Sequence, residues 1–162
     1  VKAYSSCVGE GPFTCEWFGE EAEKLREAGG EYGAKTGRPR RVGPIDIVAT
    51  RYGIQCQGAT DIALTKLDVL SMMKEIPVIV GYKKGNQEVT DFDPIEDLEE
   101  YVPIVRMLPG WQTDISGCVT YDELPDAAKT YVETLEDLLQ HEIQFISVGA
   151  ERSQYLTKGE WL

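Results

Sequence analysis

Two short stretches concentrate the side chains able to do chemistry. In Thr36-Gly37-Arg38-Pro39-Arg40-Arg41, three guanidinium groups fall within four positions of a loop marked by glycine and proline. A guanidinium stays charged at any working pH, and its forked donors match carboxylate and phosphate oxygens, so the spacing describes an anion clamp. Gly37 lets the backbone bend. Pro39 fixes its own torsion and pushes Arg38 toward extended geometry, so the arginines leave the chain at preset angles. Between Lys35 and Arg51 five basic residues accompany a single acid, Asp46, in a chain of formal net charge -12. Taken alone, such a run is most simply a solvated basic loop.

The second stretch is Thr65-Lys66-Leu67-Asp68. A carboxylate placed there can accept from both N1-H and the 2-amino group of guanine, a donor pair that adenine lacks. Each charged hydrogen bond contributes about 1.5 to 3 kcal/mol, so a base lacking both donors is rejected strongly. Lys66 can lay its aliphatic stem along the base. Ser147-Val148-Gly149 supplies a second small-residue loop whose amides could donate to a base carbonyl. Read separately, a Lys and an Asp two apart after a strand are commonly a helix start. His141 ends an amphipathic stretch, where a histidine serves the last helical carbonyls rather than catalysis. The Trp and Tyr residues are scattered as core or rim, and Glu96 to Glu100 reads as a solvated acidic face.

The elements that position these groups follow from periodicity. Val1 to Ser6 alternates as a strand, and Val8 to Phe13 is a tight loop. Thr14 is placed to cap a helix over about 16 to 28, which Gly29-Gly30 stops. Pro44 fits a first helical position, and Ile45, Val48, Ala49, Tyr52 and Cys56 form one stripe up to Gly58, which sets a helix N-terminus and its free amides beside the arginines. Ile62 to Thr65 is a short apolar strand covered on both faces. Ile76 to Tyr82 is a strand, and Gly85-Asn86 turns it into a hairpin with Glu88 to Thr90. The acidic stretch 91 to 100 is a connector or short helix. Tyr101 to Leu108, interrupted by Pro103, is an edge strand. Pro125 to Gln140 is an amphipathic helix through Ala128, Tyr131, Val132, Leu135, Leu138 and Leu139, and Ile143 to Ser147 is the last buried strand. The alternation predicts an α/β fold: part of a large, mainly parallel sheet with flanking helices and an antiparallel hairpin.

Composition bounds the rest. With 162 residues and 42% hydrophobic content, the chain can bury one core, so residues 1-162 form one domain or a large piece of one. The acidic balance argues against a nucleic-acid or anionic-membrane binder and suits a cytoplasmic protein. Cys7, Cys15, Cys56 and Cys118 show no C-x-x-C pairing, so reduced, mostly buried thiols are expected and a zinc site is not. The chain opens without Met on a strand already under way, which reads as a piece of something longer.

V-K-A-Y, V-G-E-G-P-F, T-G-R-P-R-R, A-L-T-K-L-D-V-L, L-P-G-W with D-I-S-G, and I-S-V-G, in this order across nearly the whole chain, resemble the adenylosuccinate synthetase family. The resemblance implies roughly the C-terminal two-fifths of a cytoplasmic, homodimeric, GTP-dependent ligase that joins IMP and L-aspartate with Mg2+. It implies that Ala34, Lys35, Thr36, Gly37, Arg38, Pro39 and Arg40 close over aspartate, with Thr36 and Arg38 on its carboxylates. Arg38 and the backbone near Val8 would meet the IMP ribose, and Arg40 would reach toward GTP. Lys66, Leu67 and Asp68 would hold guanine, completed by Ser147, Val148 and Gly149. Lys35 stands where the family usually has Thr, Pro44 replaces a common aromatic, and Ala150-Glu151 replaces Pro-Asp. The family's phosphate loop, catalytic aspartate and histidine, and magnesium ligands belong to an N-terminal part absent here. No catalytic or metal residue is therefore assigned, and the chain alone is expected to be inactive. The alternative is a non-catalytic guanine-nucleotide-binding or interaction module, which would need its own phosphate cradle; no G-x-x-x-x-G-K-[ST] is present. A weaker third reading, RNA contact through the arginine run, predicts binding that falls steeply with salt.

Overall fold

The computed structural model describes residues 1-91 and 98-159. In chain order these form β1 (Ser5–Cys7), α1 (Glu20–Gly29), β2 (Arg41–Gly43), β3 (Ile45–Asp46), α2 (Ile47–Gln57), β4 (Ile62–Leu64), β5 (Glu75–Lys84), β6 (Gln87–Val89), β7 (Val102–Pro109), α3 (Asp126–Leu139), β8 (Ile143–Ser147) and β9 (Tyr155–Thr157). The strands assemble into three sheets in a mixed α/β structure. Both kinds of pairing that the sequence predicts are present. β3 runs parallel to β5 and β4 parallel to β8, while β5 and β6 form the antiparallel hairpin. Antiparallel pairs β1–β2, β5–β7 and β8–β9 complete the sheets.

The core gathers where α3 lies over these strands. Tyr131, Leu135 and Leu139 of α3 are fully buried with Leu64, Ile143 and Ile146, the face that its three-to-four spacing predicts. Each large side chain so buried contributes roughly 1.5 to 3 kcal/mol. β7 takes one side of β5 and lies at an edge, as Pro103 requires, with Val102, Val105 and Met107 exposed.

Several expectations are corrected. The first residues do not extend β1 but dock on β4: the Val1 amino group donates to Ala63 O at 2.9 Å, and Ala3 N to Thr65 O at 2.9 Å. α1 starts at Glu20, not near 16, because Trp17 N is drawn to Val42 O at 2.8 Å. Thr14 caps nothing; its hydroxyl lies 2.7 Å from that of Tyr82. Pro44 precedes a strand rather than opening a helix. The α2 cap is Asp46, whose carboxylate accepts from Ala49 N at 3.0 Å. With the helix so phased against β5 and α3, Ile47, Val48 and Ile54 are buried while Ala49, Tyr52 and Cys56 are exposed. β4 is open on one face, since Ala63 is exposed between buried Ile62 and Leu64. Of the four unpaired cysteines, only Cys15 is buried. Most of the acidic stretch 91 to 100, including Glu96, lies outside the described residues.

Candidate functional site

The arginine loop is held by what ends α1. Gly30, in left-handed backbone, donates to Glu27 O at 3.2 Å and Glu31 N to Arg26 O at 2.8 Å, the bond pair of a Schellman cap. The chain then doubles back as a small hairpin: Arg40 N donates to Glu31 O at 2.9 Å, Tyr32 bridges Pro39, and Gly33 N donates to Arg38 O at 2.9 Å. Gly37, with φ +63°, turns the tip, where its N–H donates to Gly33 O at 2.8 Å. Ala34, Lys35, Thr36, Gly37, Arg38 and Pro39 are all exposed on this projection.

The three guanidiniums have different surroundings. Arg38 has no side-chain partner among the described residues. The Nη1 of Arg40 donates to Glu31 Oε2 at 2.9 Å, while its Nε is buried without a partner. Arg41 is structural: Nε meets Glu16 Oε2 at 2.6 Å and Nη1 donates to Gly9 O at 3.1 Å and Gly11 O at 2.6 Å. It thereby fixes the Val8–Phe13 loop, on which Val8 stands 80% exposed. The α2 N-terminus gives no support to anion binding beside the arginines, since β2 and β3 intervene and Asp46 already occupies it.

The stretch Thr65 to Asp68, the predicted base loop, adjoins the hairpin. Lys66 adopts left-handed backbone, φ +61°, and its ammonium donates to Gly29 O and lies 3.4 Å from Glu31 Oε1. Leu67 N donates to Ser147 O at 3.2 Å, so the two predicted strand-end loops meet. Ser147 Oγ donates to Gly149 O at 2.9 Å, and Val148 N to Gln154 O at 3.0 Å. Gln154 also takes Glu151 N at 2.9 Å and donates to Ser116 O at 3.1 Å, tying this loop to D-I-S-G. Asp68 begins a single 3-10 turn steadied by the bond from Trp111 Nε1 to Ser71 Oγ at 3.0 Å. Its Oδ1 is buried without a partner, at the edge of a shallow cleft of about 320 Å³ that Ala28, Ser71, Gln112 and Asp114 also line. Burial pushes the Asp68 carboxyl above the ordinary value, and Asp114 adds to this, while a backbone hydrogen bond and Lys66 pull the other way. A larger cleft of about 610 Å³, lined by Trp17, Met73 and Met107, contains none of the predicted site residues.

Sequence reasoning missed Glu31. Its carboxylate is fully buried and faces Lys2 at 2.8 Å, Arg40, Lys66 and the Tyr4 hydroxyl. Burial alone would raise its pKa, but hydrogen bonds from Lys2, Tyr4 and Arg40 outweigh that and hold it at about 2. The only available signal was an acid just past a Gly-Gly helix stop, which no single-sequence rule marks. His141 behaves as expected, its Nδ1 lying 3.1 Å from Leu139 O. Among the described residues no group of three His, Cys, Asp or Glu side chains is arranged to hold a metal ion. Nor, among them, is any helix long and apolar enough to cross a membrane.

Comparison with known proteins agrees with these motifs. The family model described as adenylosuccinate synthetase matches residues 1–156. The adenylosuccinate synthetase of Thermodesulfovibrio yellowstonii is 44% identical over 159 residues, covering 98% of this chain and 37% of that protein. The chloroplastic adenylosuccinate synthetase 1 of Sorghum bicolor is 48% identical, covering 98% of this chain and 33% of its own length. Among solved structures, fully ligated adenylosuccinate synthetase from Plasmodium falciparum superposes with a TM-score of 0.92 at 41% identity, over 98% of this chain and 39% of that one. The chain thus spans between a third and two-fifths of the length of these relatives. It belongs to the adenylosuccinate synthetase family.

Proposed function

We propose that these residues form the aspartate- and guanine-binding portion of a GTP-dependent ligase that joins IMP and L-aspartate into adenylosuccinate. The observation that carries this reading is the meeting of two loops: the Lys66 ammonium of the base loop reaches Gly29 O at the root of the arginine hairpin. Of three buried polar side-chain atoms without a partner among the described residues, Arg40 Nε and Asp68 Oδ1 belong to the predicted ligand contacts, and the third is Arg51 Nε. Buried groups left unpaired are uncommon in folded proteins, and a bound ligand is one way to pair them.

In the reaction, the γ-phosphoryl of GTP passes to the 6-oxygen of IMP, giving GDP and a 6-phosphoryl intermediate. The aspartate amine then attacks C6, and phosphate leaves with that oxygen. The chain's own residues bind and orient. Arg38 and Thr36, exposed at the hairpin tip, take the aspartate carboxylates, and Arg38 with the backbone near Val8 meets the IMP ribose. Asp68 accepts from N1-H and the 2-amino group of guanine, Lys66 covers the base, and the Ser147 to Gly149 loop closes the pocket beside Leu67. Arg40 places positive charge where GTP lies. Phosphoryl transfer and magnesium binding fall to the remainder of the complete protein, and that protein is proposed to be a cytoplasmic homodimer.

The test is kinetic, on the complete protein. Arg38→Ala is expected to raise KM for aspartate about 10- to 150-fold, the loss of a charged hydrogen bond worth about 1.5 to 3 kcal/mol, with KM for GTP nearly unchanged. A complete protein that makes no adenylosuccinate from IMP, aspartate and GTP, yet binds GTP, would favour the non-catalytic module instead.

A further inference from the structure

We propose that Glu31 is a positioning residue that locks the arginine hairpin and the base loop into one geometry, so that the aspartate and guanine subsites are set together. The idea rests on the ligase reading above for its consequence, but its physical core is independent of it. One buried carboxylate is shared by three segments. Oε2 holds Arg40 at 2.9 Å from the hairpin stem, and Oε1 holds Lys66 at 3.4 Å from the base loop. Oε1 also takes Lys2 at 2.8 Å, from the segment that pairs with Thr65, and the Tyr4 hydroxyl. The Glu31 backbone is fixed by the helix cap on one side and by the Arg40 N–H on the other, so the carboxylate has a set origin.

Three cations facing one buried acid could not keep this spacing without it. Removing the acid leaves like charges close together in a partly desolvated place, where they repel and move apart. Arg40 and Lys66 belong to different loops, so the loops would move apart with them. The influence of Glu31 is exerted through those two side chains.

The test uses the complete protein with Glu31→Gln, which keeps shape and removes charge, and Glu31→Asp, which keeps charge and draws the carboxylate back by about 1.5 Å. For Glu31→Gln, KM for GTP and KM for aspartate should rise together by about tenfold or more, with kcat within about threefold, because displaced loops weaken binding at both subsites. Glu31→Asp should raise both by a smaller common factor, and it decides the matter if Glu31→Gln yields no folded protein. Amide hydrogen exchange should quicken by about tenfold in both 31-40 and 64-68 while α3 stays protected. A lower melting temperature with both KM values unchanged, or a rise in one alone, overturns the proposal, as does faster exchange confined to one loop. If the parent protein lacks ligase activity the function reading fails, and the exchange experiment still decides the role of Glu31.

Discussion

Asp68→Asn tests the base pocket most sharply. In the complete protein Asp68 would accept two hydrogen bonds from guanine, and its Oδ1 is already withdrawn from water without a partner. Asparagine keeps the shape but loses the charge, and its amide presents a donor toward the 2-amino donor of guanine. The carboxylate is only half-buried, so the low end of the charged-bond range applies: two bonds at about 1.5 kcal/mol each give about 3 kcal/mol, or roughly 150-fold in affinity. Xanthosine triphosphate carries a 2-oxo acceptor in place of that amino group and should gain where GTP loses. The assay measures initial rates of adenylosuccinate formation with IMP and aspartate saturating and either GTP or xanthosine triphosphate varied. The ratio of kcat/KM values should fall by two orders of magnitude or more and turn toward xanthosine triphosphate. A ratio within threefold of the parent would refute the assignment of Asp68 to the base, whatever the total activity.

Further outcomes concern the scaffold beneath the site. A Cβ on Gly29 would lie 2.2 Å from the Tyr4 hydroxyl oxygen and 3.2 Å from Glu31 Cγ, so Gly29→Ala should lower unfolding free energy by about 1 to 3 kcal/mol in urea titrations. Tyr131→Phe deletes the buried bond from its hydroxyl to Ala3 O at 2.7 Å and should cost about 1 to 2 kcal/mol by the same measurement. The Glu31 carboxyl is held at about 2 in the folded state against 4.5 ordinarily. A depressed carboxyl stabilises above its unfolded pKa and ceases to do so below the folded one. Stability followed by circular dichroism should therefore fall between pH 4.5 and 2, and Glu31→Gln should lack that part of the decline.

Local signals carried much of this fold. The α3 stripe predicted its buried face because every inward residue recurs at helical spacing, and Gly85 marked its hairpin because the turn needs positive φ. The loop holding Arg38 was legible from Gly37 and Pro39. What could not be read was partnership. Arg40 meets Glu31 9 residues away and Arg41 meets Glu16 25 away, and no local rule distinguishes a guanidinium aimed at a ligand from one spent on the scaffold. The start of α2 was misplaced because proline's taste for a first helical turn outweighed the plainer cap at Asp46, which tertiary pairing of Ile45 with Val78 selects. β4 was read as buried on both faces because a short apolar run has no period to consult, yet Ala63 is exposed.

Lys66 holds a backbone shape that a side chain with a β-carbon enters reluctantly, at a penalty of about 1 to 2 kcal/mol. Glycine or asparagine would enter that shape at a smaller penalty. Lysine keeps what glycine would lose there, the ammonium's bond to Gly29 O and its pairing with the buried Glu31 carboxylate, so the backbone penalty is set against an anchor between two loops.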